Sequence, residues 1–147
     1  KPTRDSYDMT MWGGNARFIY ECMGAGDNET MIKFSIDCWA QASNIEYSYH
    51  IVSPNDDLFG CIGLKHKRYC ILNKEYTKKE YKELLPKIKK HMNDMPYIDK
   101  KGRVYKYGEF FPSELSFFGY NETLAYSYFP LTKEEAGEKG CWESKWT

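Results

Sequence analysis

Residues 16–52 read ARFIYECMGAGDNETMIKFSIDCWAQASNIEYSYHIV, and the fold of the chain turns on this stretch. Two segments within it echo each other, one starting at position 18 and the other at position 34: Phe18-Ile19-Tyr20-Glu21-Cys22 and Phe34-Ser35-Ile36-Asp37-Cys38. A further step of the same length reaches His50-Ile51-Val52-Ser53-Pro54, a looser copy. Apolar residues alternate with others at Ile32, Phe34 and Ile36, and again at Ile45, Tyr47, Tyr49 and Ile51. A period of two puts one set of side chains on one face of a strand. Turn formers separate the runs: Gly24-Ala25-Gly26-Asp27-Asn28, Ser43-Asn44, and Ser53-Pro54-Asn55-Asp56-Asp57. Short strands at similar spacing predict a β region over 16–73, built as a meander or as the rungs of a β-solenoid.

On the N-terminal side, residues 1–15 contain Pro2, Gly13 and Gly14 and hold no period, so they form an irregular lead-in. On the C-terminal side the pattern changes to a helix over 77–93. Thr77 and Glu80 have the spacing of a capping box, in which hydroxyl and carboxylate each satisfy a free backbone amide. Tyr81, Leu84, Leu85, Ile88 and Met92 then form one apolar stripe. Pro86 lies in this segment, lacks an amide donor and predicts a kink or break. Residues 94–112 read as loop and short strand, with a turn at Asp99-Lys100-Lys101-Gly102-Arg103 and alternation from Arg103 to Tyr107. Rings and aliphatics recur through 120–129, which predicts a partly helical, buried piece. Thr132 and Glu135 form a second capping box, whose helix Gly137 and Gly140 should stop.

The chain has 147 residues, enough to bury a core, and 17% of them are aromatic, so collapse is favoured over disorder. Lys plus Arg and Asp plus Glu both number 21. That balance excludes a strongly basic protein and an acidic disordered chain. Mean hydropathy is −0.72, and no apolar run approaches the roughly 20 residues of a membrane span. No apolar leader follows Lys1, and the missing initiator Met suggests a processed chain or a piece of a longer one or of an assembly. Cys22, Cys38, Cys61, Cys70 and Cys141 make an odd count with no C-x-x-C pair. They read as reduced thiols of a cytoplasmic protein. Asn28-Glu29-Thr30 and Asn121-Glu122-Thr123 match a glycosylation sequon, a pattern short enough to recur by chance.

Zero net charge conceals three blocks: −5 over residues 1–64, +9 over 65–106 and −4 over 107–147. A cationic block of that size attracts phosphate or an acidic protein surface. The candidate contacts are Lys65, Lys67, Arg68, Lys78, Lys79, Lys82, Lys89 and Lys90, with Tyr69 or Tyr76 as the ring on which a base stacks. The plainer reading is that these lysines solvate one helix face while the tyrosines pack the core. Cys61, His66 and Cys70 offer three possible metal ligands within ten residues, but not in the closely paired spacing of zinc sites. No metal and no cofactor are assigned. P-loop, G-x-G-x-x-G, G-x-S-x-G and H-E-x-x-H motifs are all absent. His66 and Cys70 are the nearest thiol–base pair, and a small hydrolase or transferase with a cleft there is the competing reading. A structural unit of a larger assembly is a third.

The stretch FGCIGLKHKRYCILNKEY at 59–76, the helix after it, MPYIDKKGRVYKYGEFFP at 95–112 and FPLTKEEA at 129–136 resemble an uncharacterised family of uncultured bacteria. The resemblance covers roughly residues 16–144. Members of that family look like larger chains with a Cys- and Asn-rich repetitive β middle flanked by zinc-ribbon segments. The resemblance implies stacked β rungs over 16–73 and no particular activity. Here the repeats carry few cysteines and no zinc ribbon is present.

The expected architecture is a single α+β domain over 1–147: a solenoid-like or meandering β region, one amphipathic helix across its end, and an aromatic C-terminal segment folding back. The expected function is a non-catalytic binding module whose 65–106 face meets nucleic acid or an acidic protein, with no membrane contact.

Overall fold

The computed structural model describes residues 3–10, 14–26, 28–39, 41–116 and 118–139. The fold is α+β and mostly strand: a β-solenoid of about five turns, followed by a long helix and short helical pieces. The strands are β1 (Tyr7–Thr10), β2 (Arg17–Ala25), β3 (Thr30–Trp39), β4 (Ala42–Glu46), β5 (Tyr49–Val52), β6 (Asn55–Phe59), β7 (Arg68–Ile71) and β8 (Lys74–Glu75). Pairing from β1 through β7 is parallel throughout, so the solenoid alternative holds and the meander does not.

The register fixes the length of a turn. Tyr7 pairs with Tyr20, Thr30 with Ser43, Ile36 with Tyr49 and Ile45 with Leu58, always at the same offset. Hydrogen bonds between successive turns, such as Ser48 to Ser35, span that offset of 13. The last turn is one residue shorter, pairing Asp56 with Arg68. The echo between positions 18 and 34 is therefore one turn plus one further side of the coil. Cys22 stacks on Ser35 rather than on Cys38, and Cys38 stacks on Ala25. Phe18 and Phe34 sit at successive corners of the coil.

Inside a turn the period is three, not two. Residues 16, 19, 22, 25, 29, 32, 35, 38, 42, 45, 48, 51, 55, 58 and 61 are all buried, in steps of three, three, three and four. Nearly every one follows a residue with positive φ: Phe18 (56°) before Ile19, Glu21 (46°) before Cys22, Phe34 (49°) before Ser35, Tyr47 (52°) before Ser48. Each left-handed residue turns the chain, so the next side chain points inward again. Asn, Asp and Gly take this conformation readily, and they hold it at Asn28, Asn44, Asp57 and Gly24. At Gly24 a Cβ would lie 2.6 Å from the Asp37 carboxylate, so any side chain there forces Asp37 to move. Phe18, Met31, Phe34 and Tyr47 adopt the same conformation at a cost of about 1–2 kcal/mol each. Burial of the following residue compensates.

The lumen is filled by Ile19, Ile32, Ile45, Leu58 and Ile51, with Cys22, Cys38, Cys61, Cys70 and small alanines between them. Its serines and Asn55 are bonded. The Ser35 hydroxyl accepts from the Ser48 amide and donates to the Lys33 carbonyl; the Ser48 hydroxyl repeats this one turn later with the Cys61 amide and the Glu46 carbonyl. The Asn55 amide group donates to the carbonyls of Val52 and Ser53 and accepts from the Lys67 amide, which pins two passes of the chain together.

Helix α1 (Lys78–Asp94) has the predicted capping box: Thr77 and Glu80 bond in both directions. No break occurs at Pro86, which lies on the exposed side of a continuous helix. The predicted stripe packs inward: Tyr81 is buried, and Leu84, Leu85, Ile88 and Met92 join a second cluster with Phe59 and Ile71. The helix does not lie across the end of the solenoid. Tyr81 meets Tyr69 of the last turn at 5.9 Å, while Lys89 bonds Glu46 two turns earlier. Eight helical residues rise about 12 Å, close to the roughly 10 Å of two strand spacings. Thus α1 packs along a flank and reaches across more than one turn. The end is closed by β8, which folds back antiparallel on β7.

Strands β9 (Tyr97–Ile98) and β10 (Val104–Tyr105) form the short hairpin expected from the turn at 99–103. Residues 107–111 then strap the solenoid flank. The Tyr47 hydroxyl donates to the Glu109 carbonyl and accepts from the Gly108 amide. Two short 3-10 turns, α2 (Leu124–Tyr128) and α3 (Lys133–Lys139) follow. The Thr132–Glu135 box caps α3, and Gly137 lies within that helix rather than ending it. Gly140 and Cys141 lie outside the described residues. The 120–129 piece is helical in part, as expected, but not buried: Leu124, Tyr128 and Phe129 are 59%, 74% and 73% exposed. Among the described residues no helix is long and apolar enough to cross a membrane.

Ile45 has no exposed surface and sits between Ile32 and Leu58 in the stack. Ile45→Ala is expected to cost about 2–5 kcal/mol by transfer and cavity terms, read as a lowered midpoint in urea unfolding.

Candidate functional site

Four of the eight candidate cations are ion-paired within the fold. Lys67 pairs with Glu75 at 2.8 Å, Arg68 with Asp56 at 2.9 Å, and Lys90 with Asp94 one helical turn on. Asp56 also accepts from the Ser43 hydroxyl, so Ser43, Asp56 and Arg68 form a polar ladder up successive turns. Lys89 is the most committed of the set. Its ammonium bonds Glu46 at 2.8 Å and the Tyr107 hydroxyl at 3.0 Å, and it lies 4.6 Å from the Tyr107 ring centre. The Tyr107 hydroxyl donates in turn to Glu46. This half-buried triad joins solenoid, helix and strap, and it makes Lys89 a structural residue.

Four of the candidate cations are left. Lys78, Lys79 and Lys82 lie on the first two turns of α1, and Lys65 lies in the loop before β7. Lys78, Lys79 and Lys82 are exposed, Lys65 also faces solvent, and none of the four makes an ion pair with described residues. The first three arise together because α1 commits its apolar stripe inward, which leaves the opposite side for lysine. Tyr69 and Tyr76 are half-buried and pack against the second cluster, Tyr69 on Tyr81 and Tyr76 under the Lys74 ammonium at 5.2 Å. Both rings are thus engaged in packing on one side.

His66 and Cys70 do not form a nucleophile–base pair. His66 is exposed, whereas Cys70 points into the lumen at 1% exposure and donates to the Arg68 carbonyl. Burial raises the Cys70 thiol, the opposite of what a thiolate nucleophile requires. Among the described residues no group of three or more His, Cys, Asp or Glu side chains is disposed to hold a metal ion.

A second surface escaped the sequence reading. Tyr7, Phe18, Tyr20 and Met31 stand exposed on the early turns, on the flank whose later turns α1 covers. Their signal is the spacing of one turn, which separates Tyr7 from Tyr20 and Phe18 from Met31. The more conspicuous echo between positions 18 and 34 conceals it. No protein-family model, curated protein or solved structure matches this chain.

Burial alone would lower the Lys89 pKa, but the bonds to Glu46 and Tyr107 outweigh it and leave the pKa raised above its ordinary 10.5. A raised lysine stabilises the fold at neutral pH, and that contribution fades as pH climbs through the folded pKa. Lys89→Met is expected to cost about 1–3 kcal/mol at pH 7, less than a fully buried pair; denaturant titration at pH 7 and above pH 11 should show the gap from wild type shrinking at the higher pH.

The buried thiols respond to pH in the same direction. Burial pushes Cys22 up to about 11 and raises Cys38 further. Iodoacetamide at pH 8 should leave Cys22, Cys38, Cys61 and Cys70 unmodified until the chain is unfolded, with mass spectrometry locating each adduct.

Proposed function

We propose that the chain is a non-catalytic binding module that holds a nucleic-acid strand by its phosphates on the outer face of α1. One observation carries the reading: Lys78, Lys79 and Lys82 are exposed together and unpaired with any described carboxylate. At about 100° per residue they span an arc of roughly 100° on one side of the helix. Glu80, between them in sequence, turns its carboxylate to the Thr77 cap. Lys65, in the loop before β7, also makes no ion pair with described residues but lies outside the three-lysine arc. With Tyr69 and Tyr76 drawn into packing, attraction to the backbone is left without base stacking, so binding is indifferent to sequence.

Fluorescence anisotropy with a labelled single strand of about 20 nucleotides, longer than the site of one small module, tests this. Three phosphate contacts predict a log-log salt slope of about −2. Lys78→Glu, Lys79→Glu and Lys82→Glu together should weaken binding more than tenfold, whereas Lys67→Gln and Arg68→Gln, whose native cations are already paired, should change it little. No binding in low salt, or an affinity that ignores salt, would sink the reading; preference for an acidic polypeptide over the strand would transfer the face to a protein partner.

A further inference from the structure

The column of outward residues Tyr7, Tyr20, Lys33, Glu46, Phe59 and Ile71 runs the length of the solenoid in register. Its later half is covered: α1 packs on Phe59 and Ile71, and Lys89 meets Glu46. Its earlier half is open. Tyr7, Phe18, Tyr20 and Met31 are 70%, 51%, 36% and 45% exposed, continuous with the interface that α1 already makes. Arg4, Arg17 and Lys33 lie among them and make no ion pair with described residues. Aromatic, Met and Arg side chains are those enriched at the centres of protein interfaces. Asp5, Asp8 and Glu21 lie close in sequence to Arg4, Tyr7 and Tyr20 and cancel the three cations, so the patch offers a polyanion no net attraction. Its occupant is a protein surface.

The same chain carries a surface of matching chemistry. Leu115, Phe118, Leu124, Tyr128 and Phe129 belong to the α2 region, each more than half exposed. At about 200 Å² for a large side chain, the open flank offers about 400 Å² and the α2 region about 600 Å². One contact thus buries about 1,000 Å², and two related by a two-fold axis bury about 2,000 Å², the size of a stable, specific interface.

We propose that two copies of this chain pair by a two-fold axis, each laying its α2 region on the open aromatic flank of the other. Each chain gives one flank and takes one, so the pair closes at two.

Sedimentation equilibrium on the whole chain tests this, with Phe18→Asn on the flank and Tyr128→Ser on the α2 region. Asn suits the left-handed backbone at position 18, and both sites are exposed, so circular dichroism should confirm that each variant folds. Wild type is expected at twice the 17.4 kDa of one chain. Each variant alone should dissociate at least tenfold more readily. Their equimolar mixture should recover the pair, because a mixed pair keeps one contact with neither lesion. Should Phe18→Asn fail to fold, Tyr7→Ser takes its place. A wild type that stays monomeric at several hundred micromolar, masses that grow beyond two, or a mixture no better than its parts would each overturn the proposal.

Discussion

Everything in this structure rests on returning an inward side chain every three or four residues. A β-strand alternates its faces with a period of two, and only a backbone that turns at each corner can replace that with three. A residue in the left-handed region does the turning, and the residue after it is buried. The coil closes after four such corners, which sets the length of the turn and brings Ile32 onto Ile19 and Ile45 onto Ile32. Placing Phe, Met and Tyr at corners costs about 1–2 kcal/mol at each, and the stacked core must offset it.

The corners also create the outer surface. Because Phe34 and Tyr47 occupy the same corner of successive turns, their rings stack at 4.9 Å, and Tyr20 and Phe59 extend the contact on either side. That aromatic flank is what α1 and the 107–111 strap cover. The Glu46–Lys89–Tyr107 triad sits where all three meet, with both charges largely withdrawn from water. Neutralising Lys89 in this way removes it from the surface, and pairing of Lys67, Arg68 and Lys90 takes three more of the candidate cations out of the free set. Charge counted along a chain sets the sum of the field; the fold decides which charges face outward.

The surfaces that remain open are of two chemistries. Lys78, Lys79 and Lys82 of α1 are exposed cations that make no ion pair with described residues. The early flank is apolar with its charges cancelled, and suits a protein. Separating them needed the coordinates, because both kinds of residue are interleaved in sequence with the core.

Local chemistry made α1 legible. Thr77 and Glu80 act across three residues, and the stripe from Tyr81 to Met92 is visible at one helical period, so the helix was determined by residues near one another. The same holds for the cap at Thr132 and the turn at 99–103. Short repeated runs made a meander or a solenoid legible, but neither the choice between them nor the period of the coil. All four sides of the coil carry the same corner-then-inward pattern, so a segment matches its neighbour one side further on almost as well as the one stacked directly above it. Whether Lys89 is solvent or latch, whether Tyr69 stacks on a ligand or on Tyr81, and whether rings at 124–129 lie inside or outside depend on partners far away along the chain. Those outcomes belong to tertiary packing alone, since the competing contacts have similar local cost and only the assembled flank decides which are made.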